Sequence, residues 1–382
     1  MGLVVGINAS RNRSGGARVH LRGILNSGDP RSHGISALHL WSYKALLDKL
    51  PDSPYLIKHN PPALERSLVH QAWWEYKTLA KEALNYDCDI LLNTDAGSVC
   101  GFRPAVTMSR DMLSYEWQEM RRYGLSAMLF RLILLRYIQR RSLKRADGAV
   151  FLTQYAANVI QRVTGALPRS AVIPHGVGSE FNQATSAVAS FDEPGKEIRC
   201  LYVSNAEVYK HQWVVVRAVG ELRRRGHNVS LLLAGGGSGR AQRLLDTAIA
   251  DVDPGKEFVE TMGFVSHEEI PGLLANADIF IFASSCENMP NTLVEAMSSG
   301  LPIACSDRGP MPEVLKDGGV YFNPESSESI AAAVENIIVD NKMRLSIGER
   351  AKKFAEQYSW ARCAGETWEF LKQICEGKQD RV

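Results

Sequence analysis

Short runs of branched aliphatic residues, each followed by a loop and a stretch of helical period, recur along this chain in two series. The first series has runs at 3–7, 89–92, 149–152 and 171–173, with a helical stretch at 68–84 and another from about residue 17. The second has runs at 199–203, 229–234, 258–260, 278–283 and 302–305, with helical stretches between them. Runs this short, apolar on both faces, pack as parallel strands covered by helices on each side. Between the two series, residues 182–197 lose periodicity and are rich in Ser, Ala, Gly and charge, which reads as a linker. A chain of 382 residues divides naturally into two cores of roughly 100–200 residues. The expectation is an α/β protein of two doubly wound domains, 1–181 and 198–360, with a last helix, 361–382, returning to the first. In such domains ligands bind beyond the carboxyl ends of the strands, here across a cleft between the two sheets.

The net charge of +2 gives no general attraction to nucleic acid. The seven cysteines are scattered, with no Cys-x-x-Cys pair, which argues against a disulfide framework and a structural zinc site and suits a reducing cytosol. The first residues run straight into a strand, without the pattern of a signal peptide, and no run of 18 apolar residues is present. A cytoplasmic protein is expected.

The most informative segment is 278–312, DIFIFASSCENMPNTLVEAMSSGLPIACSDRGPMP. A strand ends near Ala283, a loop follows, and Pro290 suits the first turn of a helix that Gly300 and Pro302 stop. Thr292 with Glu295 three residues on has the spacing of a capping box. The start of such a helix, with free amides and a positive dipole end, suits a diphosphate. Glu287 before the helix and Glu295 within it reach one crevice, where carboxylates accept hydrogen bonds from vicinal hydroxyls. By the residues alone, a capping Glu295 and a solvated Glu287 remain an equal reading.

Glu287-x7-Glu295, followed by Ala296-Met297 and Gly300-Leu-Pro302, resembles the signature of retaining glycosyltransferase family 4, which has the GT-B fold of two Rossmann-like domains. The longer pattern resembles members that build bacterial surface polysaccharides. The resemblance implies that Glu295 binds the nucleotide ribose and Glu287 the donor sugar. It gives the amides of Asn291, Thr292 and Leu293 to sugar and phosphate. VSNAEVYKHQWVVVRA at 203–218 resembles the element whose lysine, here Lys210, binds the donor diphosphate. Many members carry arginine six residues earlier, where this chain has Ser204; Arg11, Arg13 or Arg110 is the substitute cation to look for. Gly235 and Gly237 lie in the glycine turn of the donor site, and the main chain of Phe264 and Val265 in the segment that reads the base.

In the first half, Gly15 and Gly16 after Ser14 resemble the family's glycine loop near the β-phosphate and acceptor, and a simple turn is an even alternative. Many members have a cleft histidine near Arg110; Asp111 beside it is the candidate contact for an acceptor hydroxyl. His175-Gly176 reads as a structural element. Asp87-Cys-Asp89 mimics a metal-binding Asp-x-Asp but precedes a buried strand instead of ending one, so it is not read as a metal site.

Residues 117–145 hold seven arginines and one lysine against one glutamate, interleaved with Leu125, Phe130, Leu134 and other apolar residues. Two readings stand level: peripheral contact with an anionic membrane face, or an ordinary domain helix with solvated arginines.

The resemblance implies a retaining transfer without metal or cofactor. A hexose or deoxyhexose of mannose or rhamnose type would move from a GDP-sugar, or next a UDP-sugar, to a carbohydrate or lipid-linked glycan in polysaccharide or O-antigen synthesis. A sugar-nucleotide 2-epimerase of the same fold and a non-catalytic nucleotide-sugar sensor are the alternatives; a dinucleotide-dependent oxidoreductase lacks its fingerprint.

Overall fold

The computed structural model describes residues 2–13, 15–183, 191 and 195–379. The chain forms two compact units, one of Met1–Gly176 with Ser359–Val382 and one of Val177–Tyr358.

The first unit is built on seven strands: β1 (Leu3–Asn8), β2 (Ile35–Trp41), β3 (Leu56–His59), β4 (Ile90–Asn93), β5 (Ala105–Met108), β6 (Gly148–Phe151) and β7 (Ser170–Val172). They lie in the order β3-β2-β1-β4-β5-β6-β7, every adjacent pair parallel. The second unit has six: β8 (Ile198–Val203), β9 (Val229–Ala234), β10 (Val259–Gly263), β11 (Ile279–Phe282), β12 (Ile303–Ser306) and β13 (Val320–Phe322). Their order is β10-β9-β8-β11-β12-β13, again all parallel. In each sheet the order reverses beside the first strand, and that switch point opens a crevice at the strands' carboxyl ends. Two Rossmann-like units of parallel sheet are thus present, the fold class expected from the alternation.

The short strands β4, β5, β6, β11 and β12 are buried at every position, so these runs carry no alternation. Strands β2, β3, β5 and β13 were not among the expected runs. Segments of three or four residues are too short to show a period, and β2 interrupts its aliphatics with Ser36 and His39. His39 is accommodated by stacking on His59 at 5.2 Å, with Nδ1 and Nε2 2.9 Å apart.

The expected helix at 68–84 is two, Leu68–Lys77 and Leu79–Asn85, broken at Thr78. There Trp74 and Trp41 both donate their indole N–H to Glu82, at 3.1 and 2.7 Å. The helix Trp360–Gln379 belongs to the first unit and buries Cys363, Trp368, Leu371 and Ile374 in it. Gly23 and Gly176 both lie where a Cβ would strike Trp360, at 2.3 Å from its ring and 2.2 Å from its backbone nitrogen. The expected linker falls mostly outside the described residues; of its described part, Phe191 lies against the Arg344 guanidinium at 3.9 Å.

Residues 117–145 form two helices, Trp117–Arg121 and Ala127–Arg145, the second capped by Ser126. The longer one buries Leu129, Leu132, Gln139 and Leu143. Phe130, Leu134 and Tyr137 are exposed, among exposed Arg131, Arg140, Arg141, Lys144 and Arg145. One face therefore sits in the core while the outward face is both apolar and basic. No described helix is long and apolar enough to cross a membrane.

Candidate functional site

The loops after β8, β9, β10 and β11 hold the side chains singled out in the second half. After β8 the chain makes a short 3-10 turn, Val208–Lys210, and passes through a left-handed His211 (φ 50°) into the helix Gln212–Arg224. Two contacts latch this loop to the one after β11: His211 Nε2 lies 2.9 Å from Ser285 Oγ, and the Ser285 amide donates to the Tyr209 carbonyl at 2.8 Å. Tyr202 fastens it from below through its hydroxyl to the Lys210 carbonyl, 2.8 Å. The Lys210 ammonium, so placed, pairs with the Glu287 carboxylate. Both side chains are largely buried, at 14% and 15% exposure, and the rings of Tyr209 and Phe282 lie 5.4 and 5.5 Å from the ammonium. A desolvated pair of this kind has little water to screen it.

Glu295 lies on the helix Asn291–Ser298, and here the expected capping box is corrected. Pro290, not Thr292, is the N-cap and makes no side-chain cap bond, and the first bond to it from inside comes from the Val294 amide at 3.1 Å. The amides of Asn291, Thr292 and Leu293 are therefore left outside the helix's own ladder. The Glu295 carboxylate does not fold back on the helix. One oxygen meets His267 Nε2 at 2.9 Å, and the other is buried with no hydrogen-bond partner among the described residues. Asn291 Oδ1 is likewise buried and unpartnered. A capping box does occur nearby, at Ser266 and Glu269. Gly300 takes the left-handed conformation that ends the helix, φ 74°.

The glycine turn after β9 stitches three strand ends together. The Gly235 amide donates to the Gly263 carbonyl at 2.7 Å, and the Ala206 amide to the Gly236 carbonyl at 3.1 Å. Gly235 has φ 133°, and a Cβ there would lie 2.2 Å from the Ser204 carbonyl oxygen; at Gly237 it would meet the Ala206 methyl at 2.3 Å. Gly235→Ala is therefore expected to cost about 2–4 kcal/mol, strain and clash together, read as a lowered urea midpoint. A loss under about 0.5 kcal/mol would show that the loops part freely. Ser204 is held by Gln212, whose Nε2 donates to its carbonyl at 2.8 Å and to its hydroxyl at 3.2 Å. Phe264, just past β10, is 83% exposed, and Val265 is partly buried.

In the first unit, Gly15 and Gly16 open the helix Gly15–Asn26; Ser14 lies outside the described residues. Arg110 follows β5 and donates to Asn12 Oδ1 at 2.8 Å, while its Nε is buried without a partner among the described residues. Burial lowers its pKa, opposed by the charge of Asp95. Asp111 accepts from the Leu113 amide at 3.1 Å and from Gln139 at 3.4 Å, and burial raises its pKa above the ordinary carboxylate range. Arg11 is matched by the buried Glu75 at 2.9 Å, and Arg13 bonds the Leu64 carbonyl at 2.7 Å and covers the Tyr43 ring. Asp89 Oδ2 accepts from the Val4 amide at 2.7 Å, a tie between strand ends.

The structure brings Lys210 to Glu287, and Glu295 to His267. Sequence reasoning missed His267, Gln212 and the His211–Ser285 latch. No local pattern marks them: His267 and His211 act on residues brought near by the sheet order, and Gln212 reaches back across its own turn to Ser204.

Residues 185–354 match the family described as glycosyl transferases group 1, a stretch within the second unit. Among curated proteins, the chain is 32% identical over 110 residues to the O-antigen chain mannosyltransferase B of Escherichia coli. The match covers 29% of this chain and 29% of that relative's length. Sucrose-phosphate synthase of Thermosynechococcus elongatus superposes with a TM-score of 0.81 at 16% identity, covering 98% of this chain and 100% of the other. Anabaena HepE in complex with UDP-glucose does so with a TM-score of 0.69 at 17% identity, covering 99% and 100%. At these identities the structures speak for the fold, and the family match at 185–354 speaks for the second unit. Residues 185–354 thus resemble the glycosyl transferases group 1 family, and the two Rossmann-like units have the GT-B fold.

Proposed function

We propose that the protein is a retaining, metal-independent glycosyltransferase that moves a hexose or deoxyhexose, of mannose or rhamnose type, from a nucleotide-diphosphate sugar to a growing lipid-linked glycan in bacterial polysaccharide or O-antigen synthesis. The observation that carries this reading is the Lys210–Glu287 pair in the same unit as the uncapped start of the helix Asn291–Ser298, with a buried, unpaired oxygen on Glu295. The helix amides and Lys210 receive the diphosphate, Glu295 the ribose, and Glu287 a donor-sugar hydroxyl. Gly235, Gly237 and Ser204 line the donor site, and the main chain of Phe264 and Val265 meets the base. Gly15, Gly16, Arg110 and Asp111 serve the phosphate and the acceptor.

In the step itself, the bond from the anomeric carbon to the diphosphate oxygen breaks and its electron pair leaves with the diphosphate. An acceptor hydroxyl oxygen bonds to the carbon from the same face, and its proton passes to the departing oxygen. Charge builds on the leaving group, where Lys210 and the helix amides are already in place. The mannosyltransferase relative and the UDP-glucose complex support a nucleotide-sugar donor. GDP-sugars are our first choice of donor and UDP-sugars the second. The apolar, basic outward face of the helix Ala127–Arg145 supports peripheral contact with an anionic membrane, where a lipid-linked acceptor resides.

The test is a transfer assay in EDTA with GDP-mannose, a GDP-deoxyhexose or UDP-glucose and a lipid-linked glycan. NMR reads the anomeric configuration of the new linkage. An α-linked donor is expected to give an α-linked product without added metal. Formation of an epimer with no acceptor, or dependence on a divalent cation, would overturn the proposal.

A further inference from the structure

Glu295 is 5% exposed, and a buried carboxylate oxygen left without a donor is costly unless a ligand supplies one. Its two oxygens are treated differently by the fold: one bonds His267 Nε2 at 2.9 Å, the other has no partner among the described residues. His267 is itself held in place. It opens the 3-10 turn His267–Glu269, where the Ser266 amide and hydroxyl bond Glu269 Oε2 at 2.9 and 2.7 Å. Its ring stands edge-on to Phe181 at 5.5 Å. The turn begins four residues after Gly263, where β10 ends, so it shares a segment with Phe264 and Val265.

We propose that His267 is a positioning residue: it pins one oxygen of Glu295 so that the other is presented to the vicinal hydroxyls of a nucleotide ribose. This rests on the reading of Glu295 as the ribose ligand. An unpinned glutamate turns about its last torsion, which is broad, and loses orientation on each encounter. With Nε2–H donating to one oxygen, the carboxylate plane is set and only the second oxygen is left to the ligand. The segment that carries Phe264 and Val265 thereby also orients the ribose contact. This explains why a residue 28 positions before Glu295 bonds it.

Calorimetry on the full chain tests this with three probes: the tighter-binding of UDP and GDP, its 2′,3′-dideoxy counterpart, and inorganic pyrophosphate. His267→Ala is expected to weaken the nucleoside diphosphate about tenfold and to leave pyrophosphate and the dideoxy probe within twofold. His267→Gln, whose amide can donate from the same side, is expected to recover most of the loss. Combining His267→Ala with Glu295→Ala is expected to weaken binding no further than Glu295→Ala alone, because the histidine acts only through the carboxylate. In turnover, the donor KM rises while kcat holds. Equal weakening of all three probes, or additive losses in the double variant, would overturn the positioning role and leave Glu295 as the ribose ligand. If Glu295→Ala leaves the preference for ribose over dideoxyribose intact, the ribose reading itself fails, and the role of His267 with it.

Discussion

Replacing Lys210 by alanine is expected to lower kcat about 10²–10³-fold with the true donor, with the fold intact by thermal unfolding. In the proposed mechanism the cation stabilises the negative charge that accumulates as the sugar–phosphate bond breaks, and the rings of Tyr209 and Phe282 lie 5.4 and 5.5 Å from it. Its removal also leaves the Glu287 carboxylate, 15% exposed, without its counter-charge and facing an incoming diphosphate. Glu287→Ala is expected to lose turnover to a similar degree, through the donor-sugar contact. Glu287→Gln separates two effects. Without the carboxylate charge, Lys210 is no longer shared, so the nucleoside diphosphate product should bind more tightly even as kcat falls. Steady-state kinetics with product inhibition read both. Turnover of Lys210→Ala and Glu287→Ala within threefold of the unchanged protein would remove this pair from the mechanism.

The sheet cores and the loop-and-helix element after β11 were legible because their signals are local. Ile279–Phe282 is four consecutive buried residues, and Glu287 and Glu295 belong to one loop-and-helix unit whose spacing survives in the raw sequence. Strand β2 was not, since His39 breaks its aliphatic run and is tolerated only because His59, on the neighbouring strand, stacks against it. The Thr292–Glu295 spacing misled for another reason. A hydroxyl followed three residues later by a glutamate looks the same whether the carboxylate returns to the helix start or turns to a partner elsewhere. His267 decides the matter here, and it arrives from the loop after β10, three places from β11 in the sheet order. The substitute cation for Ser204 stayed unresolved because arginine is common and its employment is tertiary. Arg11 is matched by Glu75 and Arg13 by a carbonyl and a ring, while Arg110 has a buried nitrogen left over.

Acid is expected to destabilise the first unit through its buried histidines. His20 and His175 are 2% and 6% exposed, with ring centroids 4.3 Å apart and Trp360 about 6 Å from each. Burial holds His175 at a pKa of about 3, helped by the charge of Arg110, and burial with His175 and Arg110 holds His20 well below its ordinary value. His59 is lowered to about 4 by burial and by His39. In the unfolded chain each takes up a proton near pH 6.5. A histidine with a depressed folded pKa contributes stability that is complete above the unfolded value near 6.5 and is lost as pH falls toward the folded value, by about 1.4 kcal/mol per unit. At pH 5 His175 alone should cost about 2 kcal/mol, with His20 acting in the same direction, a large share of the 5–15 kcal/mol typical of a domain. Urea unfolding of the full chain between pH 7.5 and 5, followed by circular dichroism, should show a midpoint falling steeply below pH 6.5. His175→Gln should flatten that slope by about one proton, whatever it does to stability at neutral pH. Carboxylates with depressed values, such as Asp253 and Glu335 in the second unit, act only at lower pH, whereas the raised Asp111 of the first unit opposes the histidines, because its folded form takes up a proton before the unfolded one. A midpoint that stays level from pH 7.5 to 5 would mean that the buried rings accept protons in the folded chain, and the depressed values would be wrong.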